Sequence, residues 1–285
     1  MSSVPEIGKN KGTPHLNLSY KKWLELKKYR PRSISTLLSF AKKTHNYLSS
    51  NDLELSMSNL IRYAHWSLEQ GYSLRYENHI QWGLKTYYSY LQAVLGWSGA
   101  LALPKLLPSS NRRKALTGKE MESLKEWLLA NDNELRQVLW LLFYGCGLRR
   151  SEVLNLRLLD IKYQSKLVVV RSSKNGIIRQ IPLSSSQLLV VQRYVQNSRP
   201  VPRQGFEGQL LVGKRGGKAA ALLALELEQW QLGSGLGPRL CWHVLRHTIA
   251  SELVHSGMEI RLVSQFLGHR SLCSTHHYLH VKQES

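Results

Sequence analysis

Between Leu18 and Leu95 apolar residues return every three or four positions, the spacing that gathers them on one side of a helix. Tyr20, Trp23 and Leu24 fall together, followed by Ile34, Leu37, Leu38, Ala41 and Leu48, for which Ser33 offers an N-cap. Leu60, Ile61, Ala64 and Leu68 form a third stripe, and Ile80, Leu84, Tyr87, Leu91 and Leu95 a fourth. An apolar stripe must be buried against another element, so the pattern predicts a four-helix domain over residues 15–108. Residues 1–14 are polar, carry Gly8, Gly12 and Pro14, show no such period and read as a flexible arm.

The pattern then changes. Pro104 to Lys114 combines two prolines, a Ser-Ser-Asn cluster and three consecutive basic residues, which marks a connection between domains, placed at residues 109–116. Thr117 and Glu120 have capping-box spacing and open a second domain, residues 117–285. There an apolar helix around Leu135–Tyr144 runs into Gly145-Cys146-Gly147, and a short helix starts at Ser151. Two strand-like runs, Lys166–Arg171 and Ile177–Pro182, are joined through Asn175-Gly176, a hairpin-turn pair. Further helices are predicted from Ser184 to about Gln196, through the Ala/Leu-rich stretch ending near Gly233, near His243–Ser256, over Glu259–Leu267 and around Tyr278, with a Gly/Pro/Arg-rich loop at Arg199–Gly217. The expected fold class is mainly α with a small antiparallel β-sheet, a helical domain followed by an α+β domain.

Composition adds a partner. Lys and Arg outnumber Asp and Glu by 39 to 19, a formal charge of +20 that calls for a polyanion, and nucleic acid leads. Lys21, Lys22, Lys27, Lys28, Arg30, Arg32, Lys42 and Lys43 lie on the first domain's solvent faces and could neutralise phosphates, although such residues also occur as simple solvated faces. No apolar run is long enough to span a bilayer and no signal-peptide core is present, so no membrane partner is expected. Three cysteines, Cys146, Cys241 and Cys273, are odd in number and widely spaced, which argues against a disulfide framework and for a reducing cytoplasm.

Breaking a phosphodiester without a metal needs positive charge on the non-bridging oxygens, an in-line nucleophile and an acid for the leaving oxygen. Four segments supply such groups: Gly147-Leu148-Arg149-Arg150-Ser151-Glu152, Lys174 beside the hairpin turn, His243-Val244-Leu245-Arg246-His247, and Leu267-Gly268-His269 with Tyr278 nine residues on. Taken singly, each residue has an ordinary structural use, so the ordered set carries the reading. From about Thr117 to Val281 that order and spacing resemble the tyrosine recombinase, or phage integrase, family.

The resemblance implies a helical core-binding domain on DNA followed by an α+β catalytic domain, and it assigns roles. Arg149 and Arg246 would clamp the scissile phosphate, a task suited to the planar, bidentate guanidinium. His243, one turn before Arg246, would donate to the same phosphate, and Lys174 would protonate the departing 5′ oxygen. His269 would hydrogen-bond the phosphate and buttress the nucleophile, Tyr278, which forms a 3′-phosphotyrosyl bond. Glu152 is expected to fix a basic side chain. Gly145 and Gly147 would turn the chain before Arg149, and Gly268 would end a helix in the left-handed conformation. The resemblance further implies double-stranded DNA recombination sites as substrate, a homotetramer on DNA, a Holliday junction, accessory DNA-bending proteins and no cofactor, with integration, excision or resolution of a mobile element as the outcome.

Two other functions stay open. A type IB topoisomerase uses a similar residue set to relax supercoils, and a catalytically idle regulator could keep the fold to bind DNA. Cys241, His243, His247, His269, Cys273, His276, His277 and His280 suggest a metal site by composition. Their spacing fits no tight ligand pairs, however, and zinc would leave Arg149 and Arg246 without a role, so no metal is expected.

Overall fold

The computed structural model describes residues 13–106, 114–171 and 178–269, with side chains from residue 19 onward. The chain divides into two compact units, Met1–Arg112 and Arg113–Ser285. The first contains α1 (Thr13–Leu26), α2 (Pro31–Ser50), α3 (Met57–Glu69) and α4 (Leu74–Leu95). Tyr20, Leu24, Ile34, Leu37, Ala41, Leu60, Ala64, Ile80, Leu84, Tyr87 and Leu91 share one buried cluster, as the stripes predict. Leu68 and Leu95 are exposed instead: Leu95 is the last residue of α4, and at Leu68 the neighbouring Ser67 takes the inward position of α3 and donates at 2.8 Å to the buried Glu77 carboxylate. The eight basic residues of α1, α2 and their junction are all exposed.

Helix α2 starts at Pro31 with Arg30 as N-cap and no side-chain cap, so Ser33 is not the cap that the sequence suggests. Proline in the first turn has φ preset and lacks an N–H that the helix could not pair there, which makes an early start favourable. Helices α3 and α4 do use serine caps, Ser56 accepting from the Asn59 N–H and Ser73 from that of Tyr76.

The second unit opens on α5 (Gly118–Ala130), with the Thr117–Glu120 capping box formed in both directions. Lys114 to Leu116, counted above in the connection, are held by this unit. Leu116 is buried in its core and its N–H donates to Thr248 Oγ1 at 2.9 Å, while the carbonyls of Lys114 and Ala115 accept from Arg239 at 2.7 and 2.6 Å. Next come α6 (Glu134–Trp140), one π-helical turn (Leu141–Gly145) and α7 (Arg150–Asn155). Strands β1 (Ile161–Lys162), β2 (Leu167–Arg171) and β3 (Ile178–Pro182) form an antiparallel sheet in that order, with Val170 opposite Arg179 and Arg171 opposite Ile178. The predicted β2 is one residue too long, since Lys166 sits in a turn at φ 51°. The Asn175-Gly176 pair lies outside the described residues.

Helices α8 (Ser185–Arg193), α9 (Ala220–Gly233), α10 (Trp242–His255) and α11 (Ile260–Leu267) complete the described chain. The Arg199–Gly217 loop is pinned by Arg199, whose guanidinium donates to the carbonyls of Glu207 and Gln209. At the core, Trp242 stacks on Phe143 at 4.1 Å and meets Trp230 edge-on at 5.1 Å, which fixes the start of α10 against the turn after α6. Val263 and Leu267 of α11 pack on Ala250 and Val254 of α10. Among the described residues, no helix is long and apolar enough to cross a membrane.

Candidate active site

The chain leaves the π turn through Gly147, which adopts φ 57°; Gly145 does not share that conformation, so a single glycine makes the reversal. A Cβ on Gly147 would stand 3.2 Å from Phe266 and 3.3 Å from Leu267, so its smallness also lets α11 approach. The reversal places Arg149 as N-cap of α7, and Glu152 at the third helical position reaches back to it. The carboxylate accepts from the Arg149 N–H at 2.9 Å and from its guanidinium at 2.8 Å. Neighbouring Arg150 turns elsewhere, donating to the Ala220 carbonyl at 3.1 Å.

Arg246, on α10, is 1% exposed. A buried guanidinium is tolerable only when its N–H groups find acceptors. Nη1 donates to the Gly147 carbonyl at 2.6 Å and Nη2 to that of Leu267 at 2.5 Å, with the Glu152 carboxylate 3.8 Å away. Helix α11 ends in Gly268 at φ 64°, the left-handed cap predicted for it. The last carbonyls of a helix lack intrahelical partners and carry its negative dipole end. Here three successive ones each receive an arginine: Phe266 from Arg179 at 2.8 Å, Leu267 from Arg246, and Gly268 from Arg149 at 3.4 Å.

His269 follows directly, its N–H bonded to the Ser264 carbonyl at 3.0 Å. Burial, then the charges of Arg246 and Arg149 with His247 and Arg179 behind them, push its imidazole down to about 3. At neutral pH the ring is therefore uncharged, one nitrogen donating and the other accepting. Burial alone would raise the Glu152 carboxyl, but hydrogen bonds and charge from Arg179, with those from Arg149, outweigh it and hold the group near 2. His243 stands at the edge of this cluster, exposed, its ring edge-on to that of His247 at 4.6 Å.

The structure thus brings together Arg149, Arg246 and His269, with His243 alongside through His247. Lys174 and Tyr278 lie outside the described residues, as do Cys273, His276, His277 and His280. Sequence reasoning missed Arg179, which is buried and grips both Glu152 oxygens at 3.1 and 2.8 Å. Strand alternation held the signal, since Arg179 and Ile181 share the inward face of β3 and a charge on such a face needs a partner. Two guanidinium groups and a neutral imidazole set around one turn of chain are suited to a tetrahedral oxyanion.

Residues 112–285 match the phage integrase family. Tyrosine recombinase XerA of Pyrococcus horikoshii is 31% identical over 219 residues, which cover 75% of this chain and 72% of the relative. The crystal structure of the XerH site-specific recombinase bound to difH substrate, a pre-cleavage complex, is similar with a TM-score of 0.70 at 18% identity, over 97% of this chain and 84% of that one. A lambda integrase dimer bound to a COC′ core site gives a TM-score of 0.70 at 16% identity, over 95% and 96% of the two chains. At these identities the two structures speak to the fold.

Proposed function

The chain belongs to the phage integrase family of tyrosine recombinases, and from that premise we propose that it recombines double-stranded DNA at specific sites through a 3′-phosphotyrosyl bond to Tyr278. The convergence of Arg149, Arg246 and His269 on the end of α11, just ahead of the segment that holds Tyr278, carries this reading. Arg149 and Arg246 take the non-bridging oxygens of the scissile phosphate as charge builds on them. The Tyr278 oxygen attacks phosphorus and gives its proton to water, while the bond from phosphorus to the 5′ oxygen breaks and that oxygen takes a proton from Lys174. His243 and His269 donate to the same phosphate. A 5′ hydroxyl from the partner duplex then attacks the phosphotyrosine and releases Tyr278, so each bond broken is replaced by one of similar energy and no nucleotide cofactor is needed.

The exposed basic residues of the first unit provide the charge that would seat it on phosphates as a core-binding domain. DNA as partner agrees with the bound difH and core-site DNA of XerH and lambda integrase. A homotetramer, a Holliday junction intermediate, accessory DNA-bending proteins and action in the cytoplasm complete the proposal.

The test uses the full chain and nicked duplexes tiled across the DNA flanking its own gene, resolved on a denaturing gel. A covalent adduct that disappears in Tyr278→Phe supports the mechanism, and recombinant products from paired sites support recombination. Relaxation of plasmids lacking a defined site would favour a topoisomerase, and tight binding with no adduct on any fragment would favour a regulator.

A further inference from the structure

Glu152 is the hub of the cluster, and its carboxylate, which has about four lone-pair positions to offer, accepts four hydrogen bonds. Oε1 takes the guanidinium groups of Arg149 at 2.8 Å and Arg179 at 3.1 Å; Oε2 takes Arg179 at 2.8 Å and the Arg149 N–H at 2.9 Å. Only Arg179 among these partners spans both oxygens with its guanidinium, and its Nε donates to the Phe266 carbonyl at 2.8 Å. Gly268 lies against the same guanidinium, where a Cβ would come within 2.9 Å of Nη1. Arg179 pairs its charge with the Glu152 carboxylate in a two-point contact and spends Nε on a carbonyl, whereas Arg246 is held by neutral carbonyls, so Arg179 is placed to act on other side chains.

We infer that Arg179 is a positioning residue for the reaction: it fixes the Glu152 carboxylate and the last turn of α11 together, and through Glu152 it sets where Arg149 and Arg246 point. The inference rests on the recombinase reading above. The terminal torsion of a glutamate is soft, and without a bidentate grip the carboxylate can rotate and release its other arginines. A lysine at 179 would keep the charge but replace a planar fork by a single point.

The test compares the full-length wild type, Arg179→Lys and Arg179→Met on the same nicked duplexes. It measures the dissociation constant, the single-turnover rate of adduct formation at saturating protein, and the urea midpoint. Arg179→Lys should fold with a midpoint near that of the wild type and keep its DNA affinity within about threefold. Its rate should fall about tenfold or more, since small misplacements at a reacting centre are costly; Arg179→Met should fall further. A wild-type rate in Arg179→Lys would overturn the inference, as would rates that merely track the folded fraction. Lost affinity with an unchanged rate at saturation would make Arg179 a DNA contact, and failure of both variants to fold would make it a fold residue. No adduct from the wild type would refute the recombinase reading itself, whereas a normal wild type matched by Arg179→Lys would refute only this inference.

Discussion

Replacing His269 by glutamine removes an imidazole that the folded chain keeps neutral among three arginines and a second histidine. The sign follows from proton counting. In the unfolded chain a histidine gains a proton below a pKa of about 6.5, while in the folded state His269 resists protonation down to about 3. Between those values the unfolded state binds more protons, so stability is present above the window and drains away as pH falls through it. At pH 5 the unfolded imidazole is protonated roughly thirtyfold over its neutral form, so the loss relative to pH 7 is at most about 2 kcal/mol, and solvent screening at this partly exposed ring lowers it. That figure hardly depends on the folded value once it lies below about 4, because the folded ring is then neutral at pH 5. Glu152, held near 2, contributes almost nothing over this range. Urea unfolding of the DNA-free full chain at pH 7 and pH 5 measures the loss, and the first unit cancels in the difference between wild type and His269→Gln. The variant should lose about 1–2 kcal/mol less than the wild type on acidification. Equal losses within about 0.5 kcal/mol would refute the claim that the cluster holds this ring uncharged.

Gly268→Ala forces a side chain into φ 64° and puts a methyl 2.9 Å from the Arg179 guanidinium. The left-handed backbone alone costs about 1–2 kcal/mol, seen as a lower urea midpoint, and adduct formation should slow by more than that loss of folded protein explains. Excess chelator should leave adduct formation on nicked DNA unchanged, because guanidinium groups supply the charge on the phosphate that a metal ion would otherwise provide; loss of adduct in chelator would count against the mechanism.

Where a rule depends on neighbours in sequence, the chain could be read directly. The stripes of the first unit, the Thr117–Glu120 box, the two longer strands and the left-handed cap at Gly268 all follow from local spacing. The motif order also named Arg149, Arg246 and His269, which the fold brings to one place. What escaped depends on distant partners. Ser33 has a good local signal but competes with Pro31, and Leu68 yields its place to Ser67 because Glu77, on another helix, needs a donor. Strand β1 is two residues long and exists only as the partner of β2. Arg179 resembles any basic residue of a hairpin until the structure sets it on Glu152, twenty-seven positions earlier.

The arginines at the end of α11 are received by main-chain carbonyls, which every amino acid possesses. Side-chain identity at Phe266 and Leu267 can therefore vary, as far as these acceptors are concerned, while the count of residues cannot. One residue inserted or removed within α11 turns everything beyond it by about 100° and shifts it about 1.5 Å along the axis, carrying all three acceptors away from their donors together. In this corner of the molecule what inheritance must preserve is spacing, and a frame-preserving indel of a single codon would do more harm than several substitutions.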